Sequence, residues 1–285
     1  MPLSALALVI TAAALHAGWN LIVKGAGQRQ VFAGWAVAVG GLVCLPLLAL
    51  GAPVPAAVWP YAVASGLVEA AYFVLLIRAY ERGDFSLVYP VARGAAPALL
   101  ALWGVILLGE RPRPAGVIGL AFLLLGLVVV GGGRLLSRRA GITVGGGGVA
   151  TALGVALCIS VYSAIDGAAV RLAPAPSYLA LIMVLTAAFA APFVFARCGL
   201  RDAVACWRAQ APRIILVGVL SPVAYLLVLR AYAISGVAYA GALREVSIVL
   251  AALAGWLLLK EPFGAVRVAG SCLIFAGILV IAVAG

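Results

Sequence analysis

"YFVLLIRAYERG", residues 72–83, returns later in the chain as "AYLLVLRAYAISG", residues 224–236, with Arg78, Ala79 and Tyr80 falling on Arg230, Ala231 and Tyr232. The echo continues: "LLGERP" (107–112) matches "LLKEP" (258–262) and aligns Glu110 with Glu261 at a spacing of 151. At that same spacing Gly119 and Gly126 fall on Gly270 and Gly277, while "ALHAGWNLIVKGA" (14–26) rhymes with "ALCISVYSAIDGA" (156–168). Self-similarity on this scale marks a chain built from two copies of one unit.

The composition says in which solvent those copies fold. Of 285 residues 66% are hydrophobic and only 9% charged, against about a quarter charged in soluble domains. A hydrocarbon core of ~30 Å needs about 20 apolar residues per helix. Windows of that kind fall at 3–23, 32–51, 58–78, 86–108, 113–131, 147–167, 177–196, 213–230, 237–259 and 264–283. The runs are far longer than the ~10 residues of a barrel strand and lack its alternation. The first window has no basic start and runs on into Trp19, Asn20 and Lys24, so it reads as a retained helix rather than a signal peptide. No linker between the windows is long enough for a separate soluble domain. The expected fold is an all-α integral membrane bundle of ten transmembrane helices, in the cell's inner (plasma) membrane.

Five helices per copy is an odd number, so the second copy enters the bilayer from the opposite side. The expectation is two inverted five-helix repeats, residues 1–132 and 147–285, joined by a Gly/Arg linker at 133–146. Inverted repeats present two nearly equivalent gates around a site at the midplane. The glycines of "GGGRLLSRRAGITVGGGG" (131–148) follow no strand and precede no Gly-Lys-Ser, so they are not read as a nucleotide loop.

The net charge of +11 reports orientation rather than nucleic acid, since the basic residues sit in loops without RNA-binding aromatic motifs. With ten spans, one side holds Lys24, Arg29, Arg78, Arg82, Arg134, Arg138, Arg139, Arg197, Arg201, Arg208, Arg213, Lys260 and Arg267, and the other holds Arg111, Arg113, Arg171 and Arg230. That bias places both termini away from the cytoplasm. Cys44, Cys158, Cys198, Cys206 and Cys272 are scattered and read as small apolar packers. With a single histidine there are too few ligands for a Cys/His metal site, and neither metal nor cofactor is expected.

The buried charges carry the chemistry. Arg93 lies seven residues into the fourth window, between Pro90 and Pro97, and its counterpart at a spacing of 151 is Arg244, seven residues into the ninth. In inverted copies the two approach the midplane from opposite faces, each about 10 Å deep. A charge at that depth is costly unless paired or wetted. The structural alternative is that Arg93 snorkels to the interface or pairs with a carboxylate to hold the fold. The prolines free backbone groups and suit a helix that lines a cavity, and Tyr89 adds a hydroxyl nearby. Glu69 is a lone acid in an apolar helix, either a proton carrier or a structural hydrogen bonder. Asp166 and Glu245 are the other buried acids. Glu245 is expected to neutralise an arginine across the bundle, since adjacent helical residues point about 100° apart. His16 and Asn20, four apart, share a polar stripe on the first helix, flanked by Trp19, and Tyr72 and Tyr225 are further candidates on helices 3 and 8. Helices 5 and 10 carry glycine stripes, which pack either within one chain or across a homodimer.

The ten-helix, two-half pattern with "LHAGWNLIVKG" (15–25), "YPVARGAAP" (89–97), "LLGERP" and "LLKEP" resembles the EamA-type transporters of the drug/metabolite transporter superfamily over the whole chain. The resemblance implies a cavity lined by helices 1, 3, 4, 6, 8 and 9, with gates near the 3–4 and 8–9 connections. It implies termini in the cytoplasm, opposite to the charge count. Family members move amino acids, sugar phosphates, nucleotide sugars and drugs.

These observations point to a secondary active transporter, not an enzyme, moving a small polar metabolite by alternating access. The cargo would be an organic anion or a zwitterion such as an amino acid. Arg93 and Arg244 would attract the anionic group, with Tyr89, His16, Asn20, Tyr72 and Tyr225 around it. Glu69, Glu245 and Asp166 would serve coupling or gating, and Glu69 would also meet an amine or a proton. A proton-coupled exporter of lipophilic cations is the alternative within the class. An intramembrane enzyme needs a nucleophile and base within reach, and Ser65, Ser160, Ser163, Ser221 and Ser247 have no histidine partner other than His16. An accessory subunit without its own cargo is the third reading.

Overall fold

The computed structural model describes the backbone of residues 1–82, 85–132, 146–247, 250 and 265–284, and the side chains of residues 1–23, 25–75, 95–126, 128–129, 150–247, 250, 269–281 and 283. Everything described is helical or a short connection. The elements are α1 (Leu3–Lys24), α2 (Arg29–Leu50), α3 (Trp59–Arg82), α4 (Phe85–Ile106), α5 (Pro114–Gly132), α6 (Gly146–Ala169), α7 (Ala175–Cys198), α8 (Leu200–Ile234), α9 (Val237–Arg244) and α10 (Ala265–Ala284), with a 3₁₀ turn at Ala56–Val58 leading into α3. Among the described residues six helical segments are long and apolar enough to cross a membrane: Leu3–Val23, Arg29–Leu50, Ala56–Leu75, Ala150–Ala169, Ala175–Cys198 and Leu200–Ile234. Shorter apolar helices at Ala95–Ile106, Pro114–Gly126 and Ala269–Ile281 complete the set. In a hydrocarbon solvent every backbone group needs an internal partner, and helices supply it segment by segment. The chain is a multi-pass membrane protein.

Two windows differ from their sequence reading. The eighth was expected over 213–230, yet α8 starts at Leu200, with Gly199 alone between it and the end of α7. Gly199, at φ 82°, makes the sharp corner that other residues reach only with strain. Residues 200–212 were read as part of a basic loop, but they form an amphipathic extension. Ala203 and Cys206 are buried, Trp207 packs on Trp35 with ring centroids 4.9 Å apart, and Trp35 Nε1 donates to the Ala203 carbonyl at 2.9 Å. Arg201 and Arg208 stay exposed, and seven residues apart they share one stripe of the helix. The ninth window is interrupted. α9 ends at Arg244, and Glu245 (φ −71°, ψ −5°) forms a tightened turn whose N–H donates to the Ala242 carbonyl at 3.1 Å; the helix resumes at Val246.

The glycine stripes of α5 and α10 meet within the one chain. A Cβ on Gly126 would lie 2.6 Å from the Gly270 carbonyl oxygen, and one on Gly277 would lie 2.6 Å from that of Gly119. The two backbones touch, as small residues at a membrane helix interface allow. Elsewhere α1 packs on α8, α2 on α7 and α8, α3 on α6 and α7, and α4 on α6 and α9. Exchanging each helix for the one five places along carries α1–α8 onto α3–α6 and α2–α8 onto α3–α7, and returns α2–α7, α4–α9 and α5–α10 to themselves; α4–α6 maps onto a smaller contact between α1 and α9. Two apolar clusters sit at different levels of the bundle. One joins Ala5 and Val9 of α1 to Val228 and Leu229 of α8, and the other joins Trp19 and Ile22 of α1 to Cys206, Ile214 and Val217.

Candidate functional site

Among the described residues the buried charged side chains are Glu69, Asp166, Arg244 and Glu245. Asp166 is the hub. It sits one turn from the end of α6 and is fully buried. Its Oδ1 accepts the Tyr178 hydroxyl of α7 at 2.6 Å, and its Oδ2 accepts the Tyr225 hydroxyl of α8. The buried Ser65 of α3 lies beside it. Four helices thus converge on one carboxylate, as expected where burial of a charge must be offset by polar partners.

Glu69, mid-way along α3, accepts the Thr186 hydroxyl of α7 at 2.5 Å. Asp166 and Arg244 lie within its electrostatic reach. Arg244 is 6% exposed, with Nε 3.6 Å from Glu245 Oε1. Glu245 thus approaches its chain neighbour, a pairing that the sequence reading ranked behind a partner across the bundle. Tyr162, Tyr225 and Tyr232 lie within electrostatic reach of the same guanidinium. Tyr162 also sits edge-on to both Tyr72 and Tyr225, with centroids 6.4 Å away in each case. The predicted residues Glu69, Tyr72, Asp166, Tyr225, Arg244 and Glu245 therefore belong to one buried polar region built from α3, α6, α7, α8 and the break after α9.

His16 and Asn20 share a face of α1. The Asn20 amide donates to the His16 carbonyl of its own helix at 2.7 Å, and the His16 ring meets Trp19 at 4.5 Å. Trp19 shares its cluster with α8 residues up to Val217. Tyr225 lies eight residues further along α8, about 12 Å away. Arg93 and Tyr89 are on α4, but their side chains lie outside the described residues, as does Glu261.

Sequence reasoning missed Tyr162, Tyr178 and Thr186. Tyr162 had a signal, since it is four residues before Asp166 and so on the same helix face. Tyr178 and Thr186 had none, because an isolated hydroxyl in an apolar run reads as a packer. Their helix, α7, is absent from the cavity-lining set implied by resemblance, yet it supplies a hydroxyl to each of Asp166 and Glu69. A cavity of about 300 Å³ lies between α3, α4 and α6, lined by Tyr61, Trp103, Leu107, Leu108, Val161, Ala164, Ile165 and Ala168. It is apolar, and none of the buried acids lines it. On its wall Trp103 Nε1 donates to Ser160 Oγ at 3.0 Å.

No curated protein matches the sequence. One solved structure, described as "Crystal structure of protein", is similar over 99% of this chain and 99% of its own, with a TM-score of 0.77 and 23% identity. That likeness shows a shared fold. The EamA-like transporter family matches residues 3–132 and 146–283. With its helical membrane spans and buried charges, this chain belongs to the EamA-like transporter family, part of the drug/metabolite transporter superfamily.

Proposed function

We propose that this protein is a secondary active transporter of a small polar metabolite, an organic anion or a zwitterion, working by alternating access in the plasma membrane. The two halves act as inverted five-helix repeats, 1–132 and 147–285, about the linker at 133–146. Two facts support that organisation: the echo of Glu110 in Glu261 along the sequence, and the way most of the principal helix pairings map onto one another when the halves are exchanged. The observation that carries the transport reading is the group of charges around Asp166 and Arg244, buried within spanning helices at a helix break. Charges at such depth mark substrate or ion pathways, and broken helices at the midplane offer backbone groups to cargo. Arg244 supplies the attraction for an anionic group, joined by Arg93 if its side chain turns inward. Glu69 and Asp166 supply acceptors for an ammonium group or a proton.

Among the described residues three buried acids face one buried arginine, which favours as a second reading a cationic cargo exchanged against protons. One screen separates the two. Purified protein is heated with amino acids, phosphorylated metabolites and organic cations, because a cargo that binds only the folded state raises the melting temperature by mass action. The leading reading expects stabilisation by an anion or zwitterion that Arg244→Ala removes. Stabilisation by cations alone, unaffected by Arg244→Ala, would overturn it.

A further inference from the structure

Glu110 lies outside the buried cluster, in the turn after α4, and its carboxylate meets Arg171, Val237 and Ala238. Gly109, at φ 65°, turns the chain sharply so that Glu110 faces back across the helix ends. Its Oε1 accepts the backbone N–H of Val237 at 2.5 Å, and its Oε2 accepts that of Ala238 at 3.2 Å. These are donors in the first turn of α9, where N–H groups have no partner within the helix and the helix dipole favours a negative charge. Arg171, in the turn after α6, adds Nη2 at 3.3 Å to Oε1. Two glycines make room: a Cβ on Gly104 would stand 2.7 Å from Oε2 and one on Gly236 3.3 Å. One carboxylate, 12% exposed, therefore ties the end of α4, the end of α6 and the start of α9 together.

The position of this junction matters. α9 carries Arg244 only seven residues, about 10 Å, beyond the fastened turn, and Ser235 and Gly236 alone link α8 to α9. A start of α9 that swings would carry Arg244 with it. The fastening is at helix ends rather than deep in the bundle, where a released carboxylate and released N–H groups find water. The bonds can thus be exchanged for hydration without leaving a buried charge unpaired.

We propose that Glu110 is the latch of one transport mouth: it holds the first turn of α9 against the ends of α4 and α6, and lets go when that mouth opens. This rests on the transporter reading above, but its mechanics can be measured without any cargo. Spin labels at Leu172→Cys and Ile234→Cys, both exposed positions, bracket the junction in full-length protein held in nanodiscs, with the five native cysteines replaced by alanine. Glu110→Ala should add a population with the labels farther apart by about one helical turn, ~5 Å, the scale of known helix ratchets. Glu110→Gln keeps an acceptor oxygen but loses the charge, so it should add a smaller population, and it serves as the readout if the alanine variant does not fold. Arg171→Gln should resemble Glu110→Gln. Distances identical to the parent in folded Glu110→Ala and Glu110→Gln protein would overturn the latch. So would a lowered melting temperature with no second population, which marks a static cap. A distance shift in protein that binds and moves no tested metabolite retains the latch and removes the cargo reading; transport with unmoved distances removes the latch alone.

Discussion

α5 and α10 meet backbone against backbone, whereas α3, α6, α7 and α8 meet through hydroxyl groups gathered on Asp166 and Glu69. The first joint is made of glycines whose Cβ positions are already filled by the opposite chain. It holds no buried charge among the described residues. The second is made of side-chain hydrogen bonds that a water, a proton or a cargo group can replace one at a time. Van der Waals contact between close backbones has one good arrangement, because interiors packed to crystal density do not deform gradually. A set of hydroxyls around a carboxylate has several arrangements of similar energy. The contrast assigns α5 and α10 to a rigid frame and the Asp166 region to the part that changes partners.

The strongest challenge to that contrast is a large side chain in the frame. Gly126→Leu would drive its Cβ into the Gly270 carbonyl and the backbone nitrogen of Ile274, 2.7 Å away. Overpacking typically costs about 1–3 kcal/mol, and here the obstacle is backbone on a helix that cannot yield locally. The expected outcome is little or no monodisperse protein on size-exclusion chromatography. A variant that purifies and melts like the parent would mean that the joint is loose and the frame lies elsewhere.

Asp166→Asn probes the other side. It keeps the shape and one acceptor oxygen while removing the charge that organises Tyr178 and Tyr225. Hydrogen bonds to charged groups are worth about 1.5–3 kcal/mol, so uptake into liposomes of the cargo found by the thermal screen should fall by roughly ten- to a hundredfold, with the folded yield retained. Loss of folding with uptake per folded molecule intact would move Asp166 into the frame.

The smallest effect belongs to Trp103→Phe. It removes the hydrogen bond to Ser160 on the wall of the apolar cavity and should cost about 1 kcal/mol of stability, seen as a small drop in melting temperature with uptake unchanged. A large fall in uptake would bring that cavity into the transport path.

The helices were legible because hydropathy over 20 residues reports the solvent directly; a described helix falls in each window, and among the described residues six segments are long and apolar enough to cross a membrane. The α8 extension was hidden because Arg201, Arg208 and Arg213 lower the local hydropathy. The three-residue spacing of Ala203 and Cys206 was the only sign of a buried face, and it takes Trp35 of another helix to cover it. The break at Glu245 left no trace, since neither proline nor glycine stands there. For the site, charge in an apolar run singled out Glu69, Asp166, Arg244 and Glu245, whose burial the structure displays. Asn20 donates its amide to its own helix, a bond that a residue count along the chain does not announce. Glu110 was visible only as half of a repeated motif, and its partners at Val237 and Ala238 are 127 and 128 residues away, beyond any local pattern.

The 35 residues of α8, Pro212 and Pro222 among them, exceed the roughly 20 that a ~30 Å hydrocarbon core requires. One helix therefore joins the Trp35 contact near its first turns to the two-residue link, Ser235 and Gly236, that starts α9.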